Sequence, residues 1–225
     1  ENIRIGLEDI EGFVRFVKTN AIDLTVVGSE APLAVGIVDR FTREGLRIFG
    51  PSQKAARLET SKAWASDFMK RHELPCPQFE IFDRADEALT YVKTLNGNCV
   101  VKADGLCQGK GVFVCSSLSE AQTAIGLLMI RKVFGSAGAR IIIQEKLNGK
   151  EISMMAFCDG RRAVPLIAAQ DYKRIFDRDL GPNTGGMGAV APANRVRPTL
   201  FKKIHRLLTL TVGAMRQEGM PYHGV

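Results

Sequence analysis

Apolar residues change their spacing several times along this chain, and each change marks an element. Residues 2–6 (NIRIG) alternate as a strand does. Residues 8–19 then place Ile10, Phe13, Val14 and Val17 at helical spacing. An apolar run of strand length, 22–27, ends at Gly28. Residues 32–43 read as a helix that Gly45 stops, and LRIFG (46–50) reads as a strand. Strands that are continuous apolar runs, alternating with helices, predict a parallel α/β sheet in this first part. Gly50-Pro51 breaks the pattern, a helix runs over 61–72 with Ser61 near its start, and Pro75 and Pro77 break it again. The spacing then predicts strand 79–82, helix 85–95, strands 98–103 and 111–116, helix 118–131 and strand 139–146, a compact α+β module. Strands 151–158 and 161–167 follow, joined by the hairpin signal Asp159-Gly160. A long polar loop over 170–188 and a helix near 198–218 close the chain, with no internal repeat.

Composition narrows the class. The 225 residues are 45% hydrophobic and 24% charged, ordinary for a soluble globular protein with a sizeable core. A net charge of +7 favours anionic ligands such as nucleotides or sugar phosphates. No stretch concentrates lysine and arginine with interleaved aromatics, so nucleic acid is not the expected partner. Five scattered cysteines without a C-x-x-C pair, and three histidines, support neither a disulfide framework nor a zinc site. Cys107 is either a reactive thiol or a small filler. No apolar run has membrane-spanning length, no signal peptide opens the chain, and neither a membrane nor a metal site is expected. The start at Glu1 and the end on MPYHGV suggest part of a longer protein.

Four stretches carry candidate chemistry. VVKADGLCQGKGV (100–112) reads as a hairpin with three glycines, Gly105, Gly109 and Gly111, and two amines, Lys102 and Lys110. Glycines let backbone N–H groups approach phosphate oxygens and the amines supply compact charge; a plain glycine-rich turn is the alternative. It matches neither the P-loop spacing nor G-x-G-x-x-G. Lys62 opens the helix at 61–72, where an ammonium group beside a helix N-terminus would attract an anion, unless it is simply solvated. IIIQEKLNGKE (141–151) ends a buried strand in Gln144, Glu145, Lys146 and Leu147, which suit an adenine edge, with Glu151 beyond a turn for ribose hydroxyls. A solvated charged turn is the other reading. The loop 170–188 holds Asp171, Lys173, Arg174, Asp177, Arg178 and Asp179, then GPNTGGMG with four glycines. Its length and punctuation point to a substrate loop. Glu30, after Gly28 and Ser29, serves either sugar hydroxyls or the start of its helix.

Taken together, VVGSEAPL (26–33), RIFGP (47–51), LETSK (58–62), VVKADGLCQGKGV, QDYKR (170–174) and GPNTGGMG (181–188) closely resemble the phosphoribosylamine–glycine ligase (glycinamide ribonucleotide synthetase) family of the ATP-grasp superfamily. The likeness covers nearly the whole chain in order. It implies an α/β ATP-grasp fold with a partial Rossmann-like amino-terminal domain. The expected division is 1–55 for the end of that domain, 56–78 for a linker and first helix, 79–147 for a small lid subdomain and 148–225 for a partial large subdomain.

The resemblance also implies roles. Lys62 and Lys102 would touch ATP phosphates, and Gly105, Gly109, Lys110 and Gly111 would belong to the loop that closes over them. Gln144, Glu145, Lys146 and Leu147 would meet adenine and Glu151 the ribose. Glu30 and Ala31 would lie on the phosphoribosylamine side. Asp171, Lys173 and Arg174, with Asn183, Thr184, Gly185, Gly186 and Met187, would form the substrate loop. Lys102, Asp171, Lys173 and Arg174 are the expected catalytic set. The implied reaction joins glycine to 5-phosphoribosylamine at the expense of ATP, through a glycyl phosphate, in purine biosynthesis; another ATP-grasp carboxylate–amine ligase or an inactive nucleotide-binding fragment is the alternative. Mg²⁺ or Mn²⁺ would be needed, with ligands expected outside this chain, because Glu218 is the only acid after Gly188. A cytoplasmic monomer is expected, and the stretch alone is expected to be inactive. The chain departs from the family pattern at Ser29, Cys107-Gln108, Gln144 and Tyr172. Gln144 still offers an acceptor oxygen, and Tyr172 argues against an essential acid or base there.

Overall fold

A computed structural model describes residues 2–107, 109–193 and 196–225, and the side chains of all of these except Asp179, Pro182 and Asn183. In chain order it contains α1 (Ile10–Thr19), β1 (Thr25–Val26), α2 (Glu30–Ala34), α3 (Ile37–Arg43), β2 (Ile48–Phe49), α4 (Arg57–Thr60), α5 (Lys62–Arg71), β3 (Phe79–Phe82) and α6 (Ala85–Thr94). Next come β4 (Val100–Ala103), β5 (Val112–Val114), α7 (Leu118–Ile125), a π-helical turn (Gly126–Ile130), a 3₁₀ turn (Gly135–Gly138) and β6 (Ile141–Gln144). The chain ends with β7 (Ala156–Asp159), β8 (Ala163–Pro165), β9 (Gln170–Phe176), β10 (Leu180–Val190), α8 (Pro198–Gln217) and β11 (His223–Gly224). None of the described helices is long and apolar enough to cross a membrane.

Two compact units share the chain. The first takes Glu1–Glu59, Met154–Leu166 and Arg197–Val225; the second takes Thr60–Ser153 and Ile167–Val196. The stretch 148–225, read from sequence as one partial subdomain, therefore contributes to both.

In the second unit an antiparallel sheet has the order β3-β6-β4-β5. β6 is all apolar but for Gln144 and is buried along its length, as a central strand should be. Ile141 and Ile143 face a core with Val101, Ala103, Cys99 and Cys115, covered by Ala88 and Val92 of α6 and Ala121, Ala124 and Ile125 of α7. Side chains alternate across a strand, so Lys102, between Val101 and Ala103, stands on the other face, paired with Ile142. On that face the Gln144 Nε2 donates to Ser66 Oγ of α5 at 3.3 Å.

In the first unit β1 and β2 pair in parallel, as expected, and Val14 and Val17 of α1 pack with Ile37 and Phe41 of α3. A second sheet, β11-β7-β8, lays Ala156, Cys158 and Ala163 against Val212 of α8. The Asp159-Gly160 hairpin forms, its Asp159 carboxylate accepting from the Arg161 and Arg162 N–H groups at 2.9 and 2.6 Å.

Several expectations need correction. Residues 2–6 form no strand, and Asn2, Ile3 and Arg4 are exposed; alternation without a pairing neighbour among the described residues does not make one. The helix expected over 32–43 divides at Gly36, whose φ of 85° lies in the left-handed region that a non-glycine side chain resists. The helix expected over 118–131 is α only to Ile125. The polar loop 170–188 is a β-ribbon: β9 and β10 pair from Leu180↔Phe176 to Val190↔Gln170. Both faces of a two-stranded ribbon meet water, so its residues show no apolar alternation to read.

Ion pairs tie α1 to α3. Arg40 donates to Glu11 at 2.7 Å and also to Glu44, and Lys18 reaches Glu44 at 2.5 Å. Hydrogen bonds from Lys18 and then Arg40 pull the half-buried Glu44 carboxyl from 4.5 down to about 2. A depressed carboxyl adds stability above its unfolded pKa and loses it as pH falls through the folded one. Thermal unfolding should therefore show this contribution intact at neutral pH and fading between pH 4.5 and about 2. Glu44→Gln should flatten that part of the acid profile; an unchanged profile would contradict the role given to these pairs.

Candidate functional site

Lys102 is the centre of the candidate site. It is half-buried on the sheet face away from α6 and α7. Burial, and then the charge of Lys62, lower its pKa from the ordinary 10.5; Glu151 opposes the shift and Lys173 adds to it. Lys62, Glu151 and Lys173, side chains from three distant parts of the sequence, thus all act on the charge of Lys102.

Asp104 explains how Lys62 arrives there. Its carboxylate accepts from Ser61 Oγ at 2.9 Å and from the Ala63 N–H at 2.8 Å, while its carbonyl accepts from the Lys62 N–H at 3.2 Å. Ser61 caps the helix by accepting from the Trp64 N–H at 3.1 Å. The first-turn N–H groups of α5 are thereby engaged within the protein. The helix N-terminus expected to attract an anion is already capped by an acid, and attraction is left to the Lys62 ammonium group. Sequence reading passed over Asp104; the signal was an acid directly after the lysine strand in a chain with a Ser-Lys helix start elsewhere.

The glycine hairpin has a fixed base and a projecting tip. The Gly105 N–H donates to the Ala137 carbonyl at 3.1 Å, and the Asp104 N–H to Arg140 at 3.0 Å. The Gly105 amide is therefore not among those offered to a phosphate. A Cβ on Gly111 would come within 2.7 Å of both Cys107 Cβ and Sγ, so glycine is required by close approach. Cys107 is the filler: burial raises its thiol pKa, and its Sγ lies 3.6 Å from the Gly105 carbonyl. Gln108 lies outside the described residues. Gly109 and Lys110 are exposed, and they line a cleft of about 450 Å³ beside β5 and α7 that Arg174 also reaches.

β6 stops at Gln144, short of the expected 146. Gln144 is 6% exposed, and its amide nitrogen is pinned on Ser66, which turns its oxygen elsewhere. Glu145 is tied to Gln78 twice, its N–H donating and its carboxylate accepting, both at 2.9 Å. Lys146 donates to Ser116 Oγ at 2.7 Å, and Leu147 is exposed beyond the strand.

The ribbon supplies the remaining groups. Its register slips between Asn183↔Arg174 and Gly188↔Tyr172, so Thr184, Gly185, Gly186 and Met187 bulge out opposite Lys173. Thr184 Oγ1 donates to the Lys173 carbonyl at 2.9 Å and accepts from the Gly186 N–H at 3.1 Å. Lys173 Nζ lies 2.5 Å from Glu151 and 3.7 Å from Asp171. Arg174 donates to the Gly181 carbonyl within the ribbon. The Asn183 side chain lies outside the described residues. Glu30 and Ala31 belong to the first unit, at the start of α2, where Glu30 is exposed.

Chemically, the second unit offers clustered ammonium groups, two nearby carboxylates and glycine-rich backbone. Its one histidine, His72, sits at the end of α5 with its ring 4.7 Å from that of Phe68. The arrangement suits holding and orienting a polyanion rather than nucleophile–base catalysis. Among the described residues no group of three His, Cys, Asp or Glu side chains could hold a metal ion.

Comparison with known proteins identifies the family of the chain. The model for the phosphoribosylglycinamide synthetase ATP-grasp (A) domain matches residues 60–225, and that for the N domain of the same enzyme matches residues 1–59. The chain belongs to the phosphoribosylglycinamide synthetase family. The phosphoribosylamine–glycine ligase of Vibrio parahaemolyticus is 48% identical over 225 residues, all of this chain and 52% of the relative. The crystal structure of the Thermotoga maritima phosphoribosylamine–glycine ligase superposes with a TM-score of 0.77 at 35% identity, over 88% of this chain and 49% of that one. A biotin carboxylase domain from Hydrogenobacter thermophilus, 16% identical with a TM-score of 0.73 over 97% of this chain and 48% of its own, shares the fold. The fold is thus ATP-grasp, as expected, and the chain spans about half the length of the relatives it matches. In this family member the boundary between the two family models falls at Glu59, where the first compact unit is first interrupted.

The Asp104 bridge is open to test by urea unfolding. Asp104→Ala should cost about 1–2 kcal/mol, the usual cost of losing a helix cap. Asp104→Asn, which keeps an acceptor oxygen, should recover part of that. Unaltered stability in Asp104→Ala would remove the bridge from the account.

Proposed function

We propose that this chain is the nucleotide-holding half of a phosphoribosylamine–glycine ligase. The whole enzyme joins glycine to 5-phosphoribosylamine, using ATP, to give glycinamide ribonucleotide, ADP and phosphate in purine biosynthesis. The observation that carries the reading is Lys102, half-buried on the sheet face away from α6 and α7, with the charges of Lys62, Lys173 and Glu151 all acting on it. Such a group, costly to bury as a cation, fits a site whose guest is strongly anionic.

In this reading ATP supplies the phosphoryl group that turns glycine's carboxylate into a reactive acyl donor. The chain's own part is positional and electrostatic. Lys62 and Lys102 hold phosphate oxygens, and Lys110, on the exposed tip with Gly109, is carried over them, excluding water. The strand end Gln144–Leu147 lies against the base, with the Gln144 oxygen as acceptor. Glu151 accepts from the ribose hydroxyls. Asp171, Lys173, Arg174 and the bulge Thr184–Met187, with Asn183, frame the acceptor side. ATP fits the residues present. Among the described residues there is no cluster of His, Cys, Asp or Glu side chains for Mg²⁺ or Mn²⁺. We place the enzyme in the cytoplasm, as a monomer without nucleic-acid or membrane partners.

Lys102→Ala in the full-length enzyme should lower turnover about 10²–10³-fold, the effect of removing one preorganised charge-stabilising group. Circular dichroism and unfolding midpoints should stay near wild type. Turnover near normal would remove Lys102 from the phosphate site. The lowered Lys102 pKa sets a pH dependence as well. Its cationic form binds phosphate and is lost as pH rises, so nucleotide affinity should begin to fall below the ordinary lysine value of 10.5. Lys102→Arg should bind with little change over the same alkaline range, because guanidinium stays charged. A wild-type affinity as flat as that of the arginine variant would contradict the assignment.

A further inference from the structure

Lys173 is an ammonium group of the site that meets two carboxylates. It sits on β9 two residues from Asp171, so both side chains leave the same face of the ribbon. Thr184 holds its carbonyl from across the ribbon. Its Nζ bonds Glu151 at 2.5 Å and lies 3.7 Å from Asp171. The bond to Glu151, more than the two carboxylate charges, raises the Lys173 pKa. Glu151 comes from irregular backbone between β6 and β7, well outside either ladder, and its side chain is 62% exposed. The carboxylate that the proposed function assigns to the ribose is thus held by a lysine that the same proposal assigns to the acceptor side.

We propose that the Glu151–Lys173 ion pair is a latch, in which the nucleotide's sugar hydroxyls compete with Lys173 for the Glu151 carboxylate. This rests on the reading of Glu151 as the ribose acceptor. Two hydroxyl donors aligned on one carboxylate satisfy both its oxygens, and the ammonium group is then released. An ion pair this exposed is screened and held only weakly, so the exchange is within reach of a pair of hydrogen bonds. Lys173, released, keeps its charge and its anchored backbone beside the bulge, where an anionic acceptor-side group would meet it. Sugar recognition is in this way linked to the charge offered to the second substrate, and the linkage is reciprocal.

The test compares ADP with 2′,3′-dideoxy-ADP by titration calorimetry on the full-length protein. The ratio of their affinities isolates the sugar hydroxyls, because loss of a lysine charge shifts both nucleotides alike. Lys173→Met should raise that ratio by about 2–5-fold, the factor an exposed ion pair is worth. Lys173→Arg, which keeps the pair, should leave it at the wild-type value. An unchanged ratio in Lys173→Met, with the wild-type protein still preferring ADP, would overturn the latch and leave the ribose reading intact. A ratio near one in the wild type, the same in Glu151→Gln, would overturn the ribose reading and the latch together.

Discussion

Alternation along β4 is the constraint on which the site depends. Val101 and Ala103 are drawn into the core beneath α6 and α7, with Ile141 and Ile143 of the central strand beside them. A register slip by one residue would put those apolar groups in water and bury the lysine among helices, which hydrophobic burial forbids. Lys102 is therefore held to the opposite face by its neighbours' preferences rather than by any contact of its own. The core also fixes its height, since Lys102 pairs with Val112 on one side and Ile142 on the other. A charged group is half-buried because the strand that carries it is indispensable.

Around that fixed point the remaining groups are attached with graded rigidity. Asp104 ties the base of the hairpin to α5 through two accepted hydrogen bonds, and Gly105 is tied to the 3₁₀ turn. At the tip Gly109 and Lys110 stand exposed, the Lys110 N–H donating to the Cys107 carbonyl at 2.9 Å. Glycine at 111 permits the close approach to Cys107 that lets the hairpin narrow toward its base. In the proposed function, such a base would set the positions near the phosphates in advance and leave only the tip to close.

Much of this was legible in the sequence where apolar spacing carried it. The antiparallel module, the parallel pair β1 and β2, and the Asp159-Gly160 hairpin follow from periodicity and turn chemistry. The ribbon gives no such signal, because its residues meet water on both faces and leave no alternation. Of the residues expected there to take a substrate role, Thr184 to Met187 are pushed out of the ladder by the register shift, whereas Asn183 stays paired with Arg174 and Asp171 and Lys173 lie on β9. Residues 2–6 erred in the other direction, having alternation but no partner strand among the described residues. Asp104 and Ala137 escaped notice because their roles lie in contacts between segments far apart in sequence, which spacing does not encode. The clustering of Lys62, Lys102, Glu151 and Lys173 has the same origin; only motif resemblance, not periodicity, pointed to it.

The central claim is that Lys62 and Lys102 lie against the phosphates of a bound nucleotide. An acyl-phosphate derivative of ATP, which transfers its acyl group to a lysine beside the terminal phosphate, tests it most directly on the full-length protein. Peptide mapping by mass spectrometry should find the label on Lys102 or Lys62, and excess ATP should suppress it. Labelling that is confined to other lysines, or that ATP does not suppress, would contradict the account.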